Sequence, residues 1–140
     1  MDIILQGGSV VLPNNKIEEL DIGICDSKIS AIGDLSRSSS QKIINIKNLL
    51  VIPGAIDTQV HFREPGLTHK EDIFHGTMGA VLGGVTSIFE MPNTKPPTTN
   101  LKELSNKFKI AEKSGFCNFS FFRWISASSN FEKVPKSKEK

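Results

Sequence analysis

The rhythm of apolar and polar positions changes at Pro53. Before it, short runs rich in Ile, Val and Leu (residues 3–5, 9–12, 21–25, 28–32, 42–46 and 49–52) are separated by turn-forming residues: Gly7-Gly8, Pro13-Asn14-Asn15, Asp26-Ser27, Gly33-Asp34 and Ser38-Ser39-Ser40. Apolar runs of this length between such punctuation predict strands. Within Asp21-Ile22-Gly23-Ile24-Cys25 the apolar positions alternate, as a half-buried strand requires. Residues 1–52 therefore read as a small all-β unit, marginal in size for a core of its own.

After Pro53 the period lengthens. Residues 54–60 form a strand-like run, followed by a polar loop over 62–70 and a helical pattern over 71–82. Phe74, Met78, Val81 and Leu82 fall on one helical stripe, and Glu71 and Asp72 sit near the positive end of the helix. Gly83-Gly84 stops the pattern, a strand follows over 85–91, and a Pro-rich loop runs over 92–99. Asn100 with Glu103 three residues on predicts a capped second helix. Leu101, Leu104, Phe108 and Ala111 line its expected inner face, and Gly115 suits its C′ position. A third strand is expected over 117–122. Strand, helix, strand, helix, strand predicts βα units and a parallel sheet, an α/β fold. Residues 131–140 hold four lysines, two glutamates, a proline and a serine. They read as a disordered polar tail.

Composition narrows the function classes. With 38% hydrophobic and 23% charged residues, the 140-residue chain has the make-up of a soluble globular protein. Seventeen basic residues against fifteen acidic give a formal charge of +2. Nucleic acid is not an expected partner, because its binders cluster Lys and Arg on one face. The amino terminus has no basic region or long apolar segment of the secretory kind, and no run approaches the ~20 residues of a membrane span. Cys25 and Cys117, far apart, read as buried free thiols in a reducing compartment, so a cytoplasmic location is expected.

Chemistry concentrates around 57–63. On a regular strand Asp57, Gln59, His61 and Arg63 share one side, with Arg63 at or beyond the carboxyl end. In parallel βα architectures that end is where reactive groups gather. The other candidates read more plainly. His69 is a solvated loop residue, and His75 a surface or groove residue. Glu64 and Glu90 read as hydrogen-bonding partners near strand ends, and Phe121, Phe122 and Trp124 as core. Ser126, Ser128 and Ser129 have no adjacent base or nucleophile-elbow sequence. Gly7-Gly8 and Gly83-Gly84 are turns, since no phosphate-loop spacing surrounds them.

The segment from Ile52 to Gly66 resembles the first barrel strand of the amidohydrolase superfamily, with its Asp-x-His-x-His pattern. Within that superfamily, His61-Phe62-Arg63-Glu64-Pro65-Gly66 and Met91-Pro92-Asn93-Thr94 resemble dihydroorotase. Allantoinases usually lack the arginine, and dihydropyrimidinases lack the whole phrase. Gly7-Gly8, Asp21-Ile22-Gly23-Ile24 and Ile32-Gly33 are similar to the family's small β-sandwich, so the resemblance runs from residue 1 to about 122. It implies a β-sandwich unit over 1–52 and a partial TIM-like barrel over 53–130, comprising the first two or three βα units, with the tail beyond. It also implies one or two divalent ions, usually zinc, with His61 as a metal ligand. Arg63 and Asn93 match the residues that hold the substrate carboxylate. A guanidinium offers a charged fork for such a group, and the amide adds a donor.

Two departures shape the functional expectation. Gln59 stands where the pattern has its first histidine, and an amide oxygen is a weak zinc ligand beside an imidazole. A full barrel needs roughly 250 residues, whereas about ninety follow Pro53. The family's remaining ligands and its catalytic aspartate lie on later strands, so no catalytic residue is assigned. The expected reaction is the family's conversion of dihydroorotate to N-carbamoyl-aspartate in pyrimidine biosynthesis. The chain is expected to be truncated, inactive by itself, and weak or deficient in zinc binding. The alternatives are a segment of a split enzyme completed by another chain, and a non-catalytic partner that assembles with a protein such as aspartate transcarbamoylase. An open sheet edge, and an uncovered face expected to carry Ile56, Ile88 and Phe119, also lead to the expectation that the isolated chain is aggregated, oligomeric or partly unfolded unless a completing chain or a second copy caps it.

Overall fold

A computed structural model describes residues 1–125. The chain divides into two compact units, Met1–Pro53 and a second that begins at Gly54.

The first unit is built on one five-stranded sheet: β1 (Ile3–Val11), β2 (Ile17–Cys25), β3 (Lys28–Gly33), β4 (Lys42–Asn45) and β5 (Leu50–Val51). The order is β3-β2-β1-β4, with β5 also on β1. Neighbours β1–β2 and β2–β3 are antiparallel, while β4 and β5 run parallel to β1. Asp26 and Ser27, both at positive φ, join Cys25 to Lys28 in a two-residue hairpin of the kind that matches strand twist. Ile4, Val10 and Ile22 are its buried apolar residues.

The glycine pair at 7–8 is not the turn expected from sequence. It lies inside one continuous strand, where Leu5 pairs Ile22 and Gly8 pairs Leu20, so β1 carries one residue more than its partner. Gly7 takes φ 76°, as a bulge of this type demands. The strand bends rather than ends. Ile17 also starts β2 earlier than expected, because exposed Glu18 and Glu19 mask a strand edge in the sequence.

The second unit runs β6 (Ala55–Val60), α1 (Ile73–Leu82), β7 (Val85–Glu90), α2 (Leu101–Ser114) and β8 (Asn118–Phe121). The three strands form a parallel sheet in the order β6-β7-β8. This is the expected α/β succession, a β unit followed by βα units of the TIM-barrel kind.

Three helix expectations need correction. On α1 the buried residues are Ile73 and Thr77, not the Phe74-Met78-Val81-Leu82 stripe, whose members are 38–83% exposed. The buried face uses small residues: a Cβ on Gly76 would stand 2.6 Å from the Phe62 ring. Thr77 suits this face because its hydroxyl donates to Ile73 O and accepts from Phe116 N. On α2 the buried residues are Leu104, Lys107 and Ala111, and the lysine was not foreseen. Gly115 has φ −76°, so it is no left-handed cap; a Cβ there would lie 2.8 Å from Ala111 O.

The sheet's two faces also differ from expectation. Ile88 and Phe119 are lateral neighbours, and Ile88 is buried, whereas Ile56 pairs Ser87 one residue out of phase and is exposed. Ile56 therefore points away from the side of Ile88 and Phe119, and the three do not line one face. Phe108 of α2 stacks edge-on against Phe121 at 5.0 Å and lies 6.0 Å from Phe119, so the helix covers their side. Phe122 alternates onto the opposite side and is exposed, as is Trp124, so neither is core. Cys25 and Cys117 are free thiols but half-buried rather than buried as expected, and partial burial raises the Cys117 pKa. Among the described residues no helix is long and apolar enough to cross a membrane. Ser126, Ser128, Ser129 and residues 131–140 lie outside the described residues.

Candidate functional site at the carboxyl ends of β6 and β7

The end of β6 is irregular. Asp57 pairs Ile88 and Val60 pairs Glu90, so β6 again carries one extra residue. Asp57 Oδ1 accepts the Gln59 N–H at 3.0 Å within this bulge. Strict alternation from Asp57 to Arg63 therefore fails, because a bulge shifts the phase of the pleat. Val60, buried and in register with Glu90, faces the helices. Gln59 and His61 flank it, are exposed, and belong to the other side.

His61 Nδ1 lies 2.9 Å from Asn93 Oδ1. An amide oxygen only accepts, so the neutral ring carries its proton on Nδ1 and keeps a lone pair on Nε2. Arg63 Nη1 donates to Asn93 O at 3.4 Å. Three residues singled out from sequence, His61, Arg63 and Asn93, thus meet across thirty positions of chain. Gln59 is near them in sequence, but no hydrogen bond joins its side chain to theirs among the described residues.

The two loops that carry these groups are laced together. Arg63 has φ 67°, uncommon for a residue with a side chain, and its carbonyl accepts Leu67 N–H at 3.1 Å. Gly66 has φ 89°, and a Cβ there would collide with the Lys95 carbonyl. Lys95 N donates to Pro65 O at 3.0 Å. Glu64 Oε2 accepts the Ile73 N–H at 2.8 Å, putting negative charge at the amino end of α1. Glu64 is a hydrogen-bonding partner, as expected. On the other loop Thr94 and Thr98 are buried: Thr94 Oγ1 donates to Pro96 O at 2.9 Å and meets Thr98 Oγ1 at 3.3 Å.

Sequence reasoning missed Lys107. Its ammonium is wholly buried and pairs with Glu90 Oε2 at the end of β7. It also donates to Met91 O at 3.0 Å and stands 5.1 Å from the Phe121 ring centroid. Burial pushes the Lys107 pKa down to about 7. The one available signal was a lysine on the apolar stripe Leu104-Lys107-Ala111.

Zinc fit can be judged from the donors. Structural and catalytic zinc sites use three or four His, Cys or carboxylate donors. Among the described residues the only group of three such ligands is Glu71, Asp72 and His75 at the start of α1, and His61 is not in it. His75 is exposed and engaged by Asp72, with Nδ1 2.8 Å from Oδ2. His69 is exposed in its loop. The described residues thus offer one imidazole at the strand end, and by themselves do not fit a zinc centre.

Comparison of the fold gives the class. L-hydantoinase (dihydropyrimidinase) from Arthrobacter aurescens matches with a TM-score of 0.82 and 31% identity, over 87% of this chain and 27% of that one. This is an amidohydrolase fold. The Dihydro-orotase-like family model matches residues 48–128. A dihydroorotase of Methanosarcina acetivorans is 38% identical over 122 residues, 86% of this chain. An allantoinase of Rubrobacter xylanophilus is 39% identical over 125 residues, 89% of this chain. The chain belongs to the dihydroorotase-like family. It spans about a quarter of the length of these relatives, 26% and 27%.

Proposed function

We propose that this chain supplies the carboxylate-anchoring part of a dihydroorotase site, in an enzyme that opens the cyclic amide of dihydroorotate to N-carbamoyl-aspartate in pyrimidine biosynthesis. The observation that carries the reading is the meeting of His61, Arg63 and Asn93 at one strand end. Asn93 spends its amide oxygen on His61, which leaves the amide nitrogen as a donor. The Arg63 guanidinium makes one hydrogen bond to the Asn93 backbone and has further N–H groups for a carboxylate fork. The two together bind and orient the acid, while Asn93 holds the His61 ring with Nε2 as its ligand nitrogen.

Zinc would be the metal of this reading; in a site completed by further ligands it would be held in part by His61 and would supply Lewis-acid activation. His61 is the one conventional ligand this chain brings; Gln59 contributes at most a weak amide oxygen. The remaining ligands and a proton-shuttling aspartate belong to further strands, so the isolated chain is expected to bind zinc weakly and leave dihydroorotate intact. Completion by another segment or chain is favoured by the sheet itself, since β6 and β8 each have a single strand neighbour among the described residues. The proposed compartment is the cytoplasm.

Equilibrium dialysis with dihydroorotate tests the anchoring role. Arg63→Ala and Asn93→Ala are each expected to weaken binding about tenfold or more, the range of a hydrogen bond to a charged group. Allantoin, a cyclic amide without a carboxylate, should bind weakly and be indifferent to Arg63→Ala. Dihydroorotate binding that survives Arg63→Ala unchanged would overturn the reading.

A further inference from the structure

Resting on the reading of His61, Arg63 and Asn93 as a substrate site, a role follows for two residues that touch none of them. Glu90 closes β7, and Lys107 sits in the middle of α2; both side chains are wholly buried. Glu90 Oε1 is buried without a hydrogen-bond partner among the described residues, so Lys107 is what holds this carboxylate. The Lys107 ammonium also donates to Met91 O, two residues before Asn93. From the sheet side, Met91 N donates to Val60 O at 3.0 Å. The peptide leading to Asn93 is thus gripped from β6 on one side and from α2 on the other. One residue further, Pro92 O accepts Thr98 N–H at 2.9 Å, which closes the loop behind Asn93.

Packing alone does not account for this choice of residues. A buried ion pair is often matched or bettered in stability by two well-packed apolar residues of similar volume. What an apolar pair cannot provide is a donor to the Met91 carbonyl. The distinguishing property of Lys107 is therefore its reach to the strand end that launches the Asn93 loop.

We propose that Glu90 and Lys107 form a positioning device for the site. Glu90 orients the ammonium, the ammonium fixes the Met91 carbonyl, and the fixed backbone holds the Asn93 amide against His61. The ring is thereby kept with its proton on Nδ1 and its lone pair on Nε2. Both are positioning residues, since they act on the reacting groups only through Asn93.

The test reads the His61 tautomer by two-bond proton–nitrogen correlation in the full chain labelled with ¹⁵N-histidine. The His61 signals are assigned by their loss in His61→Gln. The wild-type ring is expected mainly as the Nδ1–H form. In Glu90→Leu combined with Lys107→Met, which is expected to melt cooperatively, the Nδ1–H to Nε2–H ratio should fall about fivefold, equivalent to a hydrogen bond of about 1 kcal/mol. Lys107→Arg, which keeps a buried cation and donor, should retain the wild-type ratio. A folded apolar pair with an unchanged ratio overturns the positioning role and leaves the substrate-site reading standing. A wild-type ring already in the Nε2–H form overturns both. If the apolar pair does not melt cooperatively, Glu90→Gln with Lys107→Leu, which also removes the donor, replaces it and the same outcomes decide. Failure of both pairs to fold, with Lys107→Arg folded, overturns the proposal in favour of a purely structural ion pair.

Discussion

Asp21 Oδ1 accepts the Gly7 N–H at 2.8 Å, and its Oδ2 accepts the Leu35 N–H at 3.0 Å. The first bond satisfies the donor that the β1 bulge frees from the ladder, and the second ties down the chain just after β3. One buried carboxylate thus links the bend of β1 to the exit of the sheet. Asp21→Ala leaves two N–H groups without this acceptor and is expected to cost about 1–3 kcal/mol. Chemical denaturation followed by circular dichroism measures it. Asp21→Asn, which keeps one acceptor oxygen, should recover part of the loss.

Arg63 couples two opposing effects at one position. Its φ of 67° costs stability that a glycine would not, while its guanidinium is the proposed anchor for an acid. Arg63→Gly should therefore raise stability by about 1 kcal/mol and abolish dihydroorotate binding together. Arg63→Ala should lose binding without the gain. Paired thermal melts and binding isotherms compare the two; a glycine variant no more stable than the alanine variant would deny the backbone strain.

The close approach of α1 to Phe62 predicts a sharp steric response. A methyl group on Gly76 meets Phe62 ring atoms at 2.6 Å, and the ring must move to admit it. Gly76→Ala is expected to destabilise by about 1–3 kcal/mol despite the better helix propensity of alanine. Gly79→Ala, where nothing lies within 4 Å, should instead be neutral or stabilising. Equal effects at both positions would contradict the packing described for this helix face.

Protonation of His75 should follow its cap. The hydrogen bond to Asp72 raises the His75 pKa above 6.5, and the charges of Asp72 and Glu71 add to it. The folded value exceeds the unfolded one, so the stabilisation is fully present below about 6.5 and is lost as the pH rises through the raised folded value. Asp72 is held below 3.8, chiefly by the His75 backbone N–H, so its own contribution fades only under acid conditions. Wild type and His75→Gln should then differ most in Tm below about pH 6.5, and the difference should shrink as the pH rises through the raised folded value. A difference that stays flat across that range would mean that folding does not shift the His75 pKa.

The parts legible in the sequence were those encoded locally. The βαβαβ order showed in a change of hydrophobic period, and the Asn100 cap showed in a four-residue phrase; its side chain accepts the Glu103 N–H at 3.0 Å. His61, Arg63 and Asn93 were found because two short phrases carry them, though the bond between His61 and Asn93 spans 32 positions. The misses have a common cause in tertiary spacing. Helix α1 buries Ile73 and Thr77 because Gly76 lets that side come close, a preference for small size that hydrophobicity does not report. Gly7-Gly8 reads as a turn until Asp21, fourteen residues on, is seen to complete a bulge. Lys107 reads as a solvated charge until Glu90 is known to face it.

That last pairing also governs how α2 can dock. A slip of the helix by one turn along the sheet would bring Leu104 or Ala111 to the place of Lys107. Glu90 would then be a buried charge with no counter-ion, and removing one partner of a buried pair costs about 3–5 kcal/mol. Leucine and alanine side chains alone would tolerate several such alignments, because oily surfaces slide past one another with little penalty. The ion pair makes the correct alignment the only cheap one, in the manner of a key cut for a single lock.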